Sequence, residues 1–208
     1  MIDSYNKLML GQYREILDIN QDEFLDEIEK QVKTIAILSG IPEDEILHLP
    51  LHQYKEMAAT ARFLESPEVP LHRMAKKYKV GDFELYPVTD FRKLGVGQYI
   101  DFHTYAADMD KYMVELISVL LVPKGMRYNE GYDILEVQKA IREGMCVTDG
   151  VTIVGFFLTL CQKSIVDSLS YCRQEAMRIK DKTKREQILA QIEMQERIIA
   201  GSGVGSQT

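Results

Sequence analysis

Lys7-Leu8-Met9-Leu10-Gly11-Gln12-Tyr13 returns 86 residues further on as Lys93-Leu94-Gly95-Val96-Gly97-Gln98-Tyr99, with Lys, Leu, Gly, Gln and Tyr in the same order. The stretches downstream of the two copies are also alike. After the first come a polar helical stretch, the apolar run Ile35-Ala36-Ile37-Leu38, the break Ser39-Gly40-Ile41-Pro42 and the acidic Glu43-Asp44-Glu45. After the second come a polar stretch, the run Leu116 to Val122, the break Pro123-Lys124-Gly125 and the acidic Glu130-Gly131-Tyr132-Asp133. A fixed order recurring at a fixed period is the mark of an internal repeat. The sequence therefore reads as one helical unit, duplicated and diverged. The repeated residues suit the start and packing of a helix and carry no chemistry of their own.

Working outward, Leu10, Tyr13, Ile16 and Leu17 share one helix face, predicting a helix over Leu10 to Ile19. Phe24, Leu25, Ile28, Val32, Ile35, Ile37 and Leu38 continue the spacing to Ser39, where Gly40 can close the helix in a left-handed conformation. Pro42 opens a short acidic helix, and a further helix spans Leu51 to Leu64. These elements form a first helical unit over residues 1–66. Residues 67–89 are a linker and a β-hairpin, with strands Met74 to Val80 and Phe83 to Val88 flanking Gly81-Asp82. Pro87 confines its strand to an edge or an end. Because a lone hairpin is marginal in water, it must lean on the helices or pair with another subunit.

The second helical unit, 90–178, holds an aromatic-rich helix from about Val96, an apolar helix from about Asp110 to Val122, and a Gly- and Tyr-rich loop to Asp133. A helix through Ile134 and Ile141 comes next, and then the most hydrophobic segment, Val151 to Cys172, which reads as the central core element. Residues 179–200 form a charged helix with the stripe Ile188, Leu189, Ile192, Ile198 and Ile199, suited to a partner or a coiled coil. Residues 201–208 are a flexible tail. The fold class is mainly α: a helical bundle of two related units with an inserted β-hairpin and a long C-terminal helix.

Composition narrows the function. A net charge of −7 makes nucleic acid an unlikely partner, since counterion displacement needs a surplus of Lys and Arg; only Lys76-Lys77 and Lys180 to Arg185 concentrate positive charge. Three cysteines, Cys146, Cys161 and Cys172, without Cys-x-x-Cys spacing fit reduced thiols in a cytoplasm. The opening residues lack a signal-peptide pattern, and the apolar run Val151 to Cys161 is about half of the ~20 residues a membrane span requires, so no membrane partner is expected.

The chemical candidates are few. His48 and His52 stand four apart, but Pro50 between them breaks the helix that two metal ligands would need, and no third ligand is signalled. Asp44, Glu45, Asp101, Asp108, Asp110, Glu130 and Asp133 have no spacing that fixes opposed acid and base roles. Gly95-Val96-Gly97 lacks the third glycine of a dinucleotide fingerprint, which Ile100 replaces. No catalytic residue, cofactor or metal ligand is assigned. Tyr13 in the first copy, and Tyr99, Tyr105, Tyr112, Tyr128 and Tyr132 crowded in the second, have the composition of an interface. With Ile188, Ile192 and Ile199 they are the candidate partner-binding residues.

At Gly11-Gln12-Tyr13, at Ile37 to Glu45 and at Leu49-Pro50-Leu51, the chain resembles the tail-assembly chaperone-like proteins of tailed bacteriophages. The second half, with Val119 to Gly125 and Tyr132-Asp133-Ile134, is similar to proteins of phages infecting gut Bacteroides-type bacteria. The resemblance implies a non-enzymatic morphogenesis protein in the host cytoplasm, binding tail or head-tail components, with a homo-oligomer also compatible. The alternatives are a permanent virion component, whose hairpin joins a neighbour's sheet, a helical regulator that binds nucleic acid through Lys180 to Arg185, and an unrecognised enzyme.

Overall fold

The computed structural model describes residues 1–66, 68–90, 93–179 and 181–201, with side chains at all of these but 110, 164–167, 195, 196 and 198–201. The chain is mainly helical, with a small antiparallel sheet. It divides into two compact units, Met1–Phe157 and Leu158–Thr208.

In the first unit, α1 (Leu10–Gln21) starts where the Gln12 side chain accepts a hydrogen bond from the Met9 backbone N–H at 3.1 Å. Before it, Leu8 to Leu10 runs antiparallel to Met145 to Val147: the Leu10 N–H donates to Met145 O (2.9 Å) and the Val147 N–H to Leu8 O (2.8 Å). Asp26 caps α2 (Glu27–Ser39) by accepting from the N–H groups of Ile28 and Glu29, while Glu29 reaches back to the Asp26 N–H. Gly40 closes α2 at φ 71°, its N–H on Ala36 O. Pro42 stands one residue outside α3 (Glu43–Leu47), as its cap rather than its first residue. Next come α4 (Leu51–Thr60) and a 3-10 turn, Ala61–Glu65. Val32, Ile35 and Ile46 form a small core here with Ile41, Leu49 and Met57 around them.

The predicted hairpin is present. Strands β1 (Tyr78–Val80) and β2 (Phe83–Pro87) pair around Gly81-Asp82, with Gly81 at φ 53°, in the left-handed region that a two-residue hairpin turn requires. Its support is within its own chain, because β2 also pairs with β3 (Leu121–Pro123) in the register Leu85↔Pro123 and Pro87↔Leu121. That third strand corrects the sequence expectation of a helix running to Val122. After α5 (Val96–Ala106), α6 (Met109–Leu120) stops at Leu121. Pro123 disfavours helical geometry at Val122, and the free edge of β2 offers the backbone partners that the lost helical turn would have supplied.

Beyond α6 lie α7 (Ile134–Gly144) and α8 (Val147–Met177). The core of the first unit centres on α6, whose Leu116, Ile117, Val119 and Leu120 are buried with Leu85, Val137, Ile141, Ile153 and Phe157. Gly150 lets α8 approach closely: a Cβ there would stand 2.8 Å from Leu10 Cδ2 and 3.2 Å from Ile117 Cδ1. The expectation that Val151 to Cys172 is the central element therefore holds only for its N-terminal part, through Phe157. Among the described residues α8 is the one helix with the length and apolar content to cross a bilayer. In the second unit, which holds the rest of α8 and α9 (Lys182–Gly201), Ala176 and Ile192 are the buried apolar residues among the described side chains.

Candidate functional site

The two copies of the repeated phrase open α1 and α5, yet their residues do different work. Gly11 is a point of close approach, where a Cβ would meet Arg142 Cγ at 2.8 Å, whereas Gly97 faces open space. Gln12 caps its own helix, and Gln98 is buried and donates from Nε2 to Val119 O at 2.7 Å. Val119 lies in the last turn of α6, where carbonyls lack helical donors, so Gln98 joins the two helices at a position that would otherwise be unsatisfied. With Phe102 buried beside it, α5 is fixed by one face.

The opposite face is left in water. Val96 is 79% exposed, Ile100 57% and Tyr99 51%, at i, i+4 and i+3 with His103 completing the ridge; the Tyr99 and His103 rings meet at 4.4 Å. Alongside runs a groove of about 880 Å3 lined by Lys93, Leu94, Gly97, Asp101, Met126 and Arg127, among others. Its wall includes Tyr128, whose hydroxyl donates to Asp101 Oδ2 at 2.8 Å. Burial, and then that carboxylate, hold the Tyr128 phenol far above the ordinary tyrosine range, so it remains a donor. The loop turns through left-handed Gly125, Asn129 and Gly131, and the Asn129 N–H donates to the Tyr132 hydroxyl at 3.2 Å.

The other candidate residues fall into separate places. Tyr13 is half-buried, edge-on to Tyr5. Tyr105 and Tyr112 are half-buried partners at 5.6 Å, with the Lys111 ammonium 4.9 Å from the Tyr112 ring centroid. Of the six tyrosines only Tyr99 is exposed; Tyr128 and Tyr132 are half-buried in hydrogen bonds of the loop. In the second unit Ile188 is half-buried and Ile192 buried, and the Ile199 side chain lies outside the described residues, as do Ile198 and Lys180. From the remainder of the basic segment, Lys182 pairs with Glu186 at 3.9 Å and Arg185 is half-buried. His48 is the C-cap just outside α3, its Nδ1 on Asp44 O, while His52 lies in α4. Among the described residues no cluster of three metal-ligating side chains occurs.

One constellation gives no signal in the sequence. His72, from the linker, contacts Asp149 Oδ1 through Nε2 at 2.9 Å, the Cys146 thiol donates to Asp149 Oδ2 at 3.3 Å, and the His72 N–H donates to Thr152 Oγ1. Histidine and cysteine thus share one carboxylate, but the carboxylate lies between them, so the imidazole does not meet the thiol. Burial raises the Cys146 thiol above its ordinary range and the Asp149 charge adds to that, the reverse of what a thiolate nucleophile needs. The arrangement pins the linker to the start of α8. The partners are 77 residues apart in the chain, and a lone histidine in a proline-containing linker carries no spacing that points to them.

No family model matches this chain, and neither a curated protein nor a solved structure matches it.

Proposed function

We propose that this chain is a non-enzymatic bacteriophage morphogenesis protein, a tail-assembly chaperone-like helical adaptor that binds tail or head-tail components. The observation that carries the reading is the α5 ridge of Val96, Tyr99 and Ile100, held out in water by a helix whose other face is locked by Gln98 and Phe102. Each such side chain buried on docking contributes roughly 1.5–3 kcal/mol, and an aromatic with a polar tip at the ridge centre is the residue type that anchors interfaces. The groove beside it supplies Lys93, Arg127 and the loop backbone as polar rim. The partner is then a segment whose own apolar surface is exposed before assembly, and the work is to cover that surface in the host cytoplasm.

In the virion-component alternative β2 is paired on both sides within the chain, so a neighbour's sheet would be joined through the outer edge of β1. The experiment is affinity purification of the tagged full chain from infected cells, together with mass spectrometry of purified particles. Recovery of tail or head-tail proteins with the tagged chain, and its absence from particles, is the expected result. Recovery of no phage structural protein overturns the reading.

A further inference from the structure

At the corner between α1 and α2, Phe24 is 97% exposed and Ile28, in the first turn of α2, is 68% exposed. The corner is ordered: the Phe24 N–H donates to Asp22 Oδ1 at 2.9 Å, and two residues further on Asp26 caps α2 through two bonds of 2.8 Å. An apolar ring is thus presented to water by a turn that holds it there. Five carboxylates, Asp22, Glu23, Asp26, Glu27 and Glu29, lie within eight residues around it; Lys30 is 3.9 Å from Glu27 and donates to Asn20 O at 3.2 Å.

The same chain carries a receptor of complementary character. A cleft of about 290 Å3 between α1, α6 and α7 has Leu10, Leu17, Met113 and Val114 among its apolar lining. Arg14, Lys111 and Arg142 also line it, against two carboxylates, Glu15 and Glu115. Arg14 pairs with Asp18 at 2.8 Å and Arg142 reaches Glu115 only at 3.6 Å; both guanidinium side chains are more than a third exposed. A cavity of roughly 150 Å3 lined by apolar side chains holds a benzene ring, so a phenylalanine fits this one with room for the flanking backbone.

We propose that Phe24 of one copy of this chain docks in the α1/α6/α7 cleft of a second copy, with the acidic corner against Arg14, Lys111 and Arg142. Phe24 is not in the cleft of its own chain, because its ring is almost wholly in water. The two patches differ, so the contact is heterologous. Each added copy leaves a free Phe24 at one end and a free cleft at the other, and association continues to a ring or an open filament rather than stopping at two. A single anchor with a charged rim buries less than the roughly 1,200 Å2 of a standard interface, so assembly depends on concentration and weakens with salt. This inference does not rest on the α5 reading, and either can fail alone.

The test uses the full chain with a photoreactive benzoylphenylalanine at position 24, irradiated at protein concentrations up to about 200 µM, where a contact of about −5 kcal/mol is substantially populated. The expected result is a ladder of cross-linked oligomers whose joined peptides contain residues 10–17, 111–115 or Arg142. In sedimentation, Phe24→Asp lowers the association constant at least about tenfold; Lys111→Glu lowers it too, and Glu23→Lys combined with Lys111→Glu restores part of the loss. Since Phe24 makes no core contact, its variant keeps the native circular dichroism. A chain that stays monomeric at the highest concentration overturns the proposal, and so do cross-links that map to any other surface.

Discussion

Two glycines of α8 set backbone propensity against packing and give opposite predictions for the same substitution. Replacing glycine by alanine within a helix gains about 0.8–1 kcal/mol. At Gly155, apart from the chain neighbours and the helix's own backbone, no atom of the described residues lies within 4 Å of the new methyl group, so Gly155→Ala keeps most of that gain and stabilises the first unit by about 0.5–1 kcal/mol. At Gly150 the methyl group would be 2.8 Å from Leu10 Cδ2 and 3.2 Å from Ile117 Cδ1, side chains only 2% and 0% exposed. Neither has space to retreat into, and overpacking of about 1–3 kcal/mol exceeds the propensity gain. Gly150→Ala is therefore destabilising by roughly 1 kcal/mol. At about 2–4 °C per kcal/mol for a chain of this size, the variants separate by roughly 4–8 °C in Tm, one on each side of the parent. Thermal unfolding followed by circular dichroism, at one fixed protein concentration, measures this. If both variants rise by the same amount, the packing of α8 on Leu10 and Ile117 is refuted.

Gln98→Ala leaves Val119 O buried without its donor and costs about 1–3 kcal/mol; hydrogen exchange should quicken over residues 96–106 while α2 keeps its protection. Thiol titration should find Cys172, which is exposed, reacting first. Burial pushes Cys161 up to about 11, so at pH 8 it is thiolate in roughly one molecule in a thousand, and Cys146 is slowed by burial and by Asp149. Raising the pH toward 11 speeds the Cys161 reaction about tenfold per unit; a Cys161 that reacts as fast as Cys172 at pH 8 contradicts its burial. His72→Ala should cost under about 1 kcal/mol, because the His72–Asp149 pair is partly exposed, and a larger loss on chemical denaturation would mean that the pair holds the core rather than only the linker.

What the sequence discloses is local. Gly40 and Gly81-Asp82 lie inside the turns they make, so the end of α2 and the hairpin are legible, whereas the apolar spacing that begins at Phe24 puts the start of α2 too early: Asp26 caps it, and Phe24 stands outside the helix, 97% exposed. The third strand is hidden because Leu121 and Val122 continue the apolar pattern of α6, and their pairing is chosen by β2, far away in the chain. Periodicity likewise shows that α8 is apolar but not that its burial in the first unit ends at Phe157. The candidate surface is half legible: tyrosine crowding marks the second helical unit, but which ring faces water depends on the Gln98 bond to α6, and only Tyr99 among the six does so. His72 and Asp149 meet through tertiary folding alone.

Most direct for the adaptor account is quantitative affinity purification of the wild-type chain and of Val96→Asp/Ile100→Asp from infected cells. Both substitutions are on exposed positions, so the variant keeps its circular dichroism and Tm. Losing two apolar anchors of about 1.5 kcal/mol or more each predicts a fall of roughly 100-fold in the affinity for tail or head-tail proteins recovered with the wild type. Equal recovery by a folded variant would contradict the claim that the α5 ridge is where this protein meets its partner.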